Sequence, residues 1–213
     1  MPSTSQLTDL SLTAFAAALA EKTPTPGGGS LAAYVVACGA ATVSMACRFT
    51  SGEKYAAVQD AMARRAAELD QLRATALGFV QADTDAYDRV TAAFGAPKSN
   101  DAEKAARSAG IQAAMKGALE VPLETMRAAA AVLAHAAACA ADINPNLASD
   151  CGSGVACCLA GLEAAQANVA INAASIKDAE YVAARRAQAA ELRASALAAA
   201  ERARAALAAK LPA

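Results

Sequence analysis

The chain has 213 residues, of which 67 are alanine, and its hydrophobic content of 56% includes only 4% aromatic residues. Its 19 basic and 20 acidic side chains nearly cancel, and no cluster of lysine and arginine interleaved with aromatic residues is present. This composition excludes a disordered chain and a basic nucleic-acid-binding protein. Because alanine, leucine and arginine favour helix, it predicts an all-α fold of closely packed helices.

Apolar periodicity and helix-stop signals predict about seven helices in one domain over residues 1–213. The first two helices are expected at residues 8–21 and 30–50. The segment between Lys22 and Arg48 carries no charge and is long enough to span a bilayer, but its prolines, glycines and hydroxyl groups weaken insertion. We therefore expect a helix buried on all sides in the core, and no membrane partner.

The later helices are separated by proline, glycine and asparagine. A proline lacks the N–H that continues a helix, so Pro122 is expected in a first helical turn or at a kink that separates two helices. Ser99, Asn100 or Asp101 is expected to cap the first of these two helices. The predicted bounds are 53–94 with a bend at Gly78, 101–119, 122–141, 149–176, and 178 to near the C-terminus.

Three consecutive glycines precede the second helix. Gly27, Gly28 and Gly29 carry no side chains, so backbone amides there can approach an anion or a polar ring edge. The Walker and Rossmann patterns are both absent, because no Gly-Lys-Ser or Gly-Lys-Thr follows and no strand precedes. A turn that only permits tight packing is an equally good interpretation of this motif alone.

Several polar side chains interrupt the apolar helices. Asp83 and Asp88 are about 140° apart on a helix, so only one of them can face a given cleft, whereas Tyr87 shares the face of Asp83. Asn168 and Asn172 lie four residues apart on an apolar helix, where buried amides need partners. These amides either satisfy the core or present donors and acceptors to a heterocycle.

The cysteines and the N-terminus predict no metal and no secretion. The six cysteines lie in alanine-rich helical stretches, where reduced thiols act as small hydrophobic side chains. His135 is the only histidine, and no cysteine pair has the spacing of a zinc site, so no metal site is expected. The first ten residues lack a basic leader and an apolar core, so we expect a cytoplasmic protein.

Considered together, these motifs resemble the cyclodeaminase and cyclohydrolase family of folate enzymes over about residues 8–180. The segments that carry the resemblance are 24–29 (PTPGGG), 52–55 (GEKY), 83–88 (DTDAYD), 97–98 (PK), 103–104 (EK), 121–123 (VPL), 144–146 (NPN), Ser149 with Asp150, and Asn168 with Asn172.

The resemblance implies an all-helical homodimer with a folate cleft and no cofactor beyond the tetrahydrofolate substrate. Asp83 matches the acid of the family's Asp-x-x-Ala-aromatic motif and is the expected catalytic residue. Asp150 is the second candidate, although an acid at a helix start is also ordinary capping chemistry. Lys54 matches a basic position that could meet the glutamate carboxylates of folate. The other expected substrate-binding residues are Gly27, Gly28, Gly29, Tyr87, Asn144, Asn168 and Asn172.

The activity implied by the resemblance is that of a methenyltetrahydrofolate cyclohydrolase. Residues 95–107 are more similar to the cyclohydrolases, and we expect a stand-alone enzyme without a fused formiminotransferase domain. A formimidoyltetrahydrofolate cyclodeaminase is the first alternative. The second is a helical dimer that binds a ligand or scaffolds a partner without catalysis, since fold alone does not confer activity.

Overall fold

The computed structural model describes residues 6–211, and this part of the chain consists of helices joined by short loops, without β-strands. The predicted all-α fold is confirmed. The α-helices are α1 Leu12–Ala20, α2 Gly28–Arg48, α3 Gln59–Gly95, α4 Asp101–Cys139, α5 Ala148–Ala173 and α6 Ala179–Ala208, with short 3-10 turns at Leu7–Asp9, Glu53–Tyr55 and Pro145–Leu147.

Side-chain caps fix two of the predicted helix starts. Asn100 accepts a hydrogen bond from the backbone N–H of Glu103, whose carboxylate accepts from the N–H of Ser99 at 2.7 Å. Asp178 caps α6 in the same way, by accepting from the N–H of Tyr181. Both caps satisfy N–H groups that have no partner within the helix.

The prediction that Pro122 divides two helices is wrong, because α4 runs through it without a break. A proline inside a helix leaves the carbonyl four residues earlier without its usual donor. Here that carbonyl belongs to Ala118, and the side-chain amide of Asn172 on α5 donates to it at 2.8 Å. A contact from a distant helix therefore compensates the break that the local sequence predicts.

Helix α2 lies at the centre of the bundle and packs against α3, α4 and α5. Its contact with α5 is close because glycines remove side chains where the backbones cross. A Cβ on Gly39 would overlap Cys158 and the carbonyl of Gly154, and one on Gly161 would overlap Val36. The two helices run antiparallel, and small residues let them approach at backbone distance.

The prediction that α2 is buried on all sides is only partly correct. Most of the helix is in the core, but Leu31 and Phe49 are 40% and 60% exposed. By length and composition α2 and the stretch Pro145–Ala173 could each cross a membrane, with mean hydropathies of 1.7 and 1.4. A core helix of a soluble protein passes the same test.

Candidate functional site

A cleft of about 340 Å³ opens at the N-terminal end of α2. It lies between residues 24–29, here called the glycine loop, and helices α3, α4 and α5. It brings together seven of the ten predicted site residues. The lining residues are Pro24, Thr25, Gly27, Gly28, Gly29, Asp83, Tyr87, Val90, Met115, Ala118, Asn168, Ile171, Asn172 and Ser175.

Asp83 is the carboxylate of this cleft, and the first turn of α2 holds it in place. Its Oδ2 accepts hydrogen bonds from the backbone N–H of Ser30 at 2.9 Å and from the Ser30 hydroxyl at 3.0 Å. The neighbouring acid Asp85 is instead exposed and accepts from Gln81. As helical geometry predicts, one face of α3 contributes a single acid to the cleft.

Two opposing influences act on the pKa of Asp83. Burial raises the pKa of this carboxyl above its usual value, and the hydrogen bonds from the hydroxyl and backbone N–H of Ser30 oppose that rise. Burial is the larger influence, so the charged form is less favoured than in water. A raised pKa brings a carboxyl closer to the range in which it can accept and return a proton.

The glycine loop places backbone donors at the same point. Gly28 and Gly29 are the first two residues of α2, so their N–H groups have no acceptor within the helix; Leu31 makes the first helical bond, to Gly27. A Cβ on Gly29 would overlap the carboxylate of Asp83. None of the three glycines has a positive φ. At Gly29, glycine is therefore required by the close approach of Asp83 and not by an unusual backbone angle.

The two asparagines line the cleft. The Nδ2 group of Asn172 donates to Ala118, and that of Asn168 donates to Ala164, both at 2.8 Å. Each amide nitrogen keeps a second hydrogen, and neither Oδ1 accepts a hydrogen bond from a residue that the structure describes. The amides therefore bond to backbone carbonyls and still have donor and acceptor capacity that is not used within the chain.

Within one chain, Lys54, Asn144 and Asp150 lie far from this cleft. Asn144 is bonded to Phe49 and Thr50 at the C-terminal end of α2, whereas the cleft is at the N-terminal end. The 21 residues of α2 separate the two ends by roughly 30 Å. One chain alone therefore does not bring all ten of the predicted site residues together.

Lys54 and Asp150 belong to the same distant end. Lys54 is exposed in the turn after α2, with its Nζ 5.4 Å from the ring centroid of Tyr55. Asp150 lies in the first turn of α5, which runs antiparallel to α2 and therefore starts at the end of α2 remote from the cleft.

Sequence reasoning missed Ser30 and the apolar walls of the cleft. Ser30 is fully buried and follows the glycines, at a helix position whose N–H needs an acceptor; that position was the available signal. Met115 and Ile171 could not be assigned from one sequence, because apolar residues lining a cleft look the same as core residues.

No group of three or more histidine, cysteine or acidic side chains within residues 6–211 is arranged to hold a metal ion.

The fold and the site define a helical protein with a cleft that brings together one partly buried carboxylate, free helix N–H groups and two side-chain amides. The chain belongs to the formiminotransferase-cyclodeaminase family, whose model matches residues 11–191. It is 43% identical to a methenyltetrahydrofolate cyclohydrolase of Methylorubrum extorquens, over 75% of this chain and 77% of that protein.

Two cyclodeaminases are also similar. A formimidoyltransferase-cyclodeaminase of Dictyostelium discoideum is 30% identical over 84% of this chain, which spans 33% of that protein. The crystal structure of a formiminotetrahydrofolate cyclodeaminase from Thermotoga maritima superposes with a TM-score of 0.87 at 27% identity, and the match covers 96% of this chain and 98% of that one.

Proposed function

We propose that this protein is a methenyltetrahydrofolate cyclohydrolase, which hydrolyses 5,10-methenyltetrahydrofolate to 10-formyltetrahydrofolate. The observation that carries the proposal is the 43% identity to a cyclohydrolase over three quarters of both chains. The cleft supports it, because it offers a carboxylate for proton transfer beside donors and acceptors suited to a polar heterocycle.

The reaction needs few groups because the substrate is already electrophilic. The methenyl carbon lies between N5 and N10 in a cationic amidinium, so a positioned water can add to it. In the proposed mechanism, Oδ1 of Asp83 takes a proton from that water as the carbon–oxygen bond forms. The bond from the carbon to N5 then breaks as Asp83 returns its proton to N5. The added hydroxyl loses its proton to water and becomes the formyl oxygen, so the formyl group remains on N10 and one proton is released.

The other polar groups of the cleft fit substrate orientation. A pterin ring carries N–H and amino donors along one edge, and the Oδ1 atoms of Asn168 and Asn172 are acceptors. The N–H groups of Gly28 and Gly29 are donors suited to an oxygen, including the one that develops on the hydrated carbon. Tyr87 and Ile171 supply the apolar contact area that a flat ring needs.

A cyclodeaminase is the second candidate, and the superposition on the cyclodeaminase from Thermotoga maritima favours it. Its tetrahedral centre carries an amino group where the cyclohydrolase has a hydroxyl. Asp83 would then return a proton to ammonia as it leaves. The same cleft can therefore serve either reaction.

Two assays on the same protein preparation separate these candidates. The first follows the loss of the ultraviolet absorbance of methenyltetrahydrofolate, and the second measures ammonia released from formimidoyltetrahydrofolate. We expect turnover in the first assay well above the spontaneous rate and little ammonia in the second. The reverse result would identify a cyclodeaminase, and no turnover in either assay would contradict the proposed enzyme.

The remaining parts of the proposal concern assembly and location. We propose a homodimer that acts in the cytoplasm on folate, with no metal and no further cofactor. Lys54, Asn144 and Asp150 remain proposed site residues only in that dimer, because they can reach a cleft only from a second copy of the chain.

A further inference from the structure

Ser30 makes two hydrogen bonds to the proposed catalytic carboxylate, although it does not line the cleft. Its side chain is fully buried between α2 and α3. Its backbone N–H and its hydroxyl both reach Oδ2 of Asp83. The hydroxyl oxygen is also 3.0 Å from the carbonyl oxygen of Val80, one turn earlier on α3.

A count of protons shows what this arrangement can do. A serine hydroxyl has one hydrogen, so it cannot fully serve Asp83 and Val80 at the same time. When Asp83 is charged, the carboxylate is the stronger acceptor and the hydroxyl donates to Oδ2. When Asp83 has taken a proton on Oδ1, the hydroxyl can turn to the carbonyl of Val80 without leaving a buried donor unsatisfied.

We propose that Ser30 is a positioning residue for Asp83. Ser30 holds Oδ2 of Asp83, so that Oδ1 carries the transferred proton. The Ser30 hydroxyl donates to Asp83 when the carboxyl is charged and to Val80 when the carboxyl is neutral. This inference deepens the proposed function and rests on it for the catalytic consequence. Both hydrogen bonds from Ser30 go to Oδ2, and Oδ1 accepts none from a residue that the structure describes, which matches its assignment as the oxygen that meets water.

Among the residues that the structure describes, no charged side chain forms a hydrogen bond or an ion pair with Asp83. Tyr87 is the other titratable group that lines the cleft, and on α2 the nearest one is Tyr34, which packs against Phe15. The charged groups on the surrounding helices are engaged or exposed elsewhere: Lys116 with Asp178, Glu120 with Arg185, Asp85 with Gln81, Asp9 with Gln6, and Glu163 at the surface.

The chain contains a matched control fourteen residues further along α2. Ser44 is also fully buried, and its hydroxyl lies 3.2 Å from the carbonyl oxygen of Ala66 and 3.1 Å from Oδ1 of Asp70 on α3. Asp70 is paired with Arg48 and does not line the cleft. Replacing Ser44 therefore removes the same kind of hydroxyl from the same helix pair without touching Asp83.

The first test measures the effect of Ser30 on the pKa of Asp83 and does not depend on enzyme activity. The ¹³C resonances of labelled aspartate carboxyl carbons are followed by NMR against pH, and Asp83→Asn identifies the signal of Asp83. Removing a donor to the charged form raises its pKa, so Ser30→Ala should move the Asp83 midpoint up by about one pH unit. Ser30→Cys, which keeps a weak donor, should give an intermediate shift, and Ser44→Ala none.

The second test asks whether the coupling matters for turnover. If charged Asp83 is the base, kcat/KM for methenyltetrahydrofolate falls as pH drops through its pKa, so in Ser30→Ala the fall should begin at higher pH by the same amount. Circular dichroism confirms that each variant is folded. An Asp83 midpoint unchanged in Ser30→Ala, or a pH–rate profile that does not follow it, would overturn the inference. If the wild-type protein lacks turnover, the proposed function fails, and the NMR midpoint still decides whether Ser30 tunes Asp83.

Discussion

Gly29 is the residue whose lack of a side chain matters most at the cleft. A Cβ at this position would overlap the carboxylate of Asp83, which cannot move far because Ser30 holds its other oxygen. In Gly29→Ala we expect the carboxylate to be displaced and kcat to fall by on the order of tenfold to a hundredfold, with the fold retained. Steady-state kinetics together with a thermal unfolding curve measure this.

Gly27→Ala is the matched control for that variant. A Cβ on Gly27 would meet the carbonyl of Pro24 at 3.6 Å, an ordinary contact. Gly27 lines the cleft, so an effect on substrate affinity is expected in KM, whereas kcat should stay close to that of the wild type. Equal losses in the two variants would show that the loop needs glycine for a reason other than the position of Asp83.

At the residue scale, the sequence predicted which side chains share one face of a helix better than it predicted their hydrogen-bond partners on other helices. The spacing of Asp83 and Tyr87 on one helix was sufficient to place both at one cleft. The contact from Asp83 to Ser30 joins residues 53 positions apart, and nothing in a single sequence pairs two helices in that register.

At the scale of the helices, the antiparallel crossing of α2 and α5 depends on glycine. A Cβ on Gly154 would meet Val43 and the backbone carbonyl of Gly39, each under 3 Å away. Because backbone cannot move aside as a side chain does, Gly154→Ala should lower the free energy of unfolding by about 1–3 kcal/mol. Urea denaturation followed by circular dichroism measures the change.

Gly78 provides the comparison, since it is exposed in the middle of α3 with no atom near its missing Cβ. Gly78→Ala should leave stability unchanged or raise it by about 0.5–1 kcal/mol through helix propensity. If Gly154→Ala were as stable as Gly78→Ala, the crossing of α2 and α5 would not be as close as described.

Helix boundaries were predictable wherever a local signal decided them, and not where a distant contact did. Asn100 and Asp178 cap their helices through bonds within four residues, so both starts could be read from the sequence. Pro122 gives an equally clear local signal for a break. The amide of Asn172, fifty residues away, satisfies the carbonyl that the proline leaves free, and the helix continues.

At the scale of the whole molecule, the proposed site residues lie at both ends of α2. Leu31 and Phe49 are exposed near the two ends of this helix and are eighteen residues apart, which is five helical turns, so they share one face. In a two-fold dimer that pairs this face with its copy about an axis perpendicular to α2, the N-terminal end of one α2 meets the C-terminal end of the other. Lys54 of one chain would then approach the cleft of its partner.

Mixing two variants tests this arrangement. Chains with Asp83→Asn and chains with Lys54→Ala should each be impaired alone as dimers. Unfolded together and refolded, half of the dimers are mixed, and each mixed dimer regains one intact site, so about a quarter of the wild-type activity should return. Sedimentation should show twice the chain mass of 21.2 kDa. A monomer, or no gain on mixing, would confine the site to one chain and remove Lys54 from it.

We propose that Asp83 performs the proton transfer in the hydrolysis of methenyltetrahydrofolate. The most direct test is one measurement, the kcat for methenyltetrahydrofolate of Asp83→Asn beside that of the wild-type protein. An amide can still accept from Ser30, so we expect helix content and folate binding near those of the wild type. A carboxylate used for proton transfer stabilises mainly the transition state, and its loss should lower kcat by about 10² to 10⁴. A variant that retains more than about a tenth of the wild-type kcat would contradict this account.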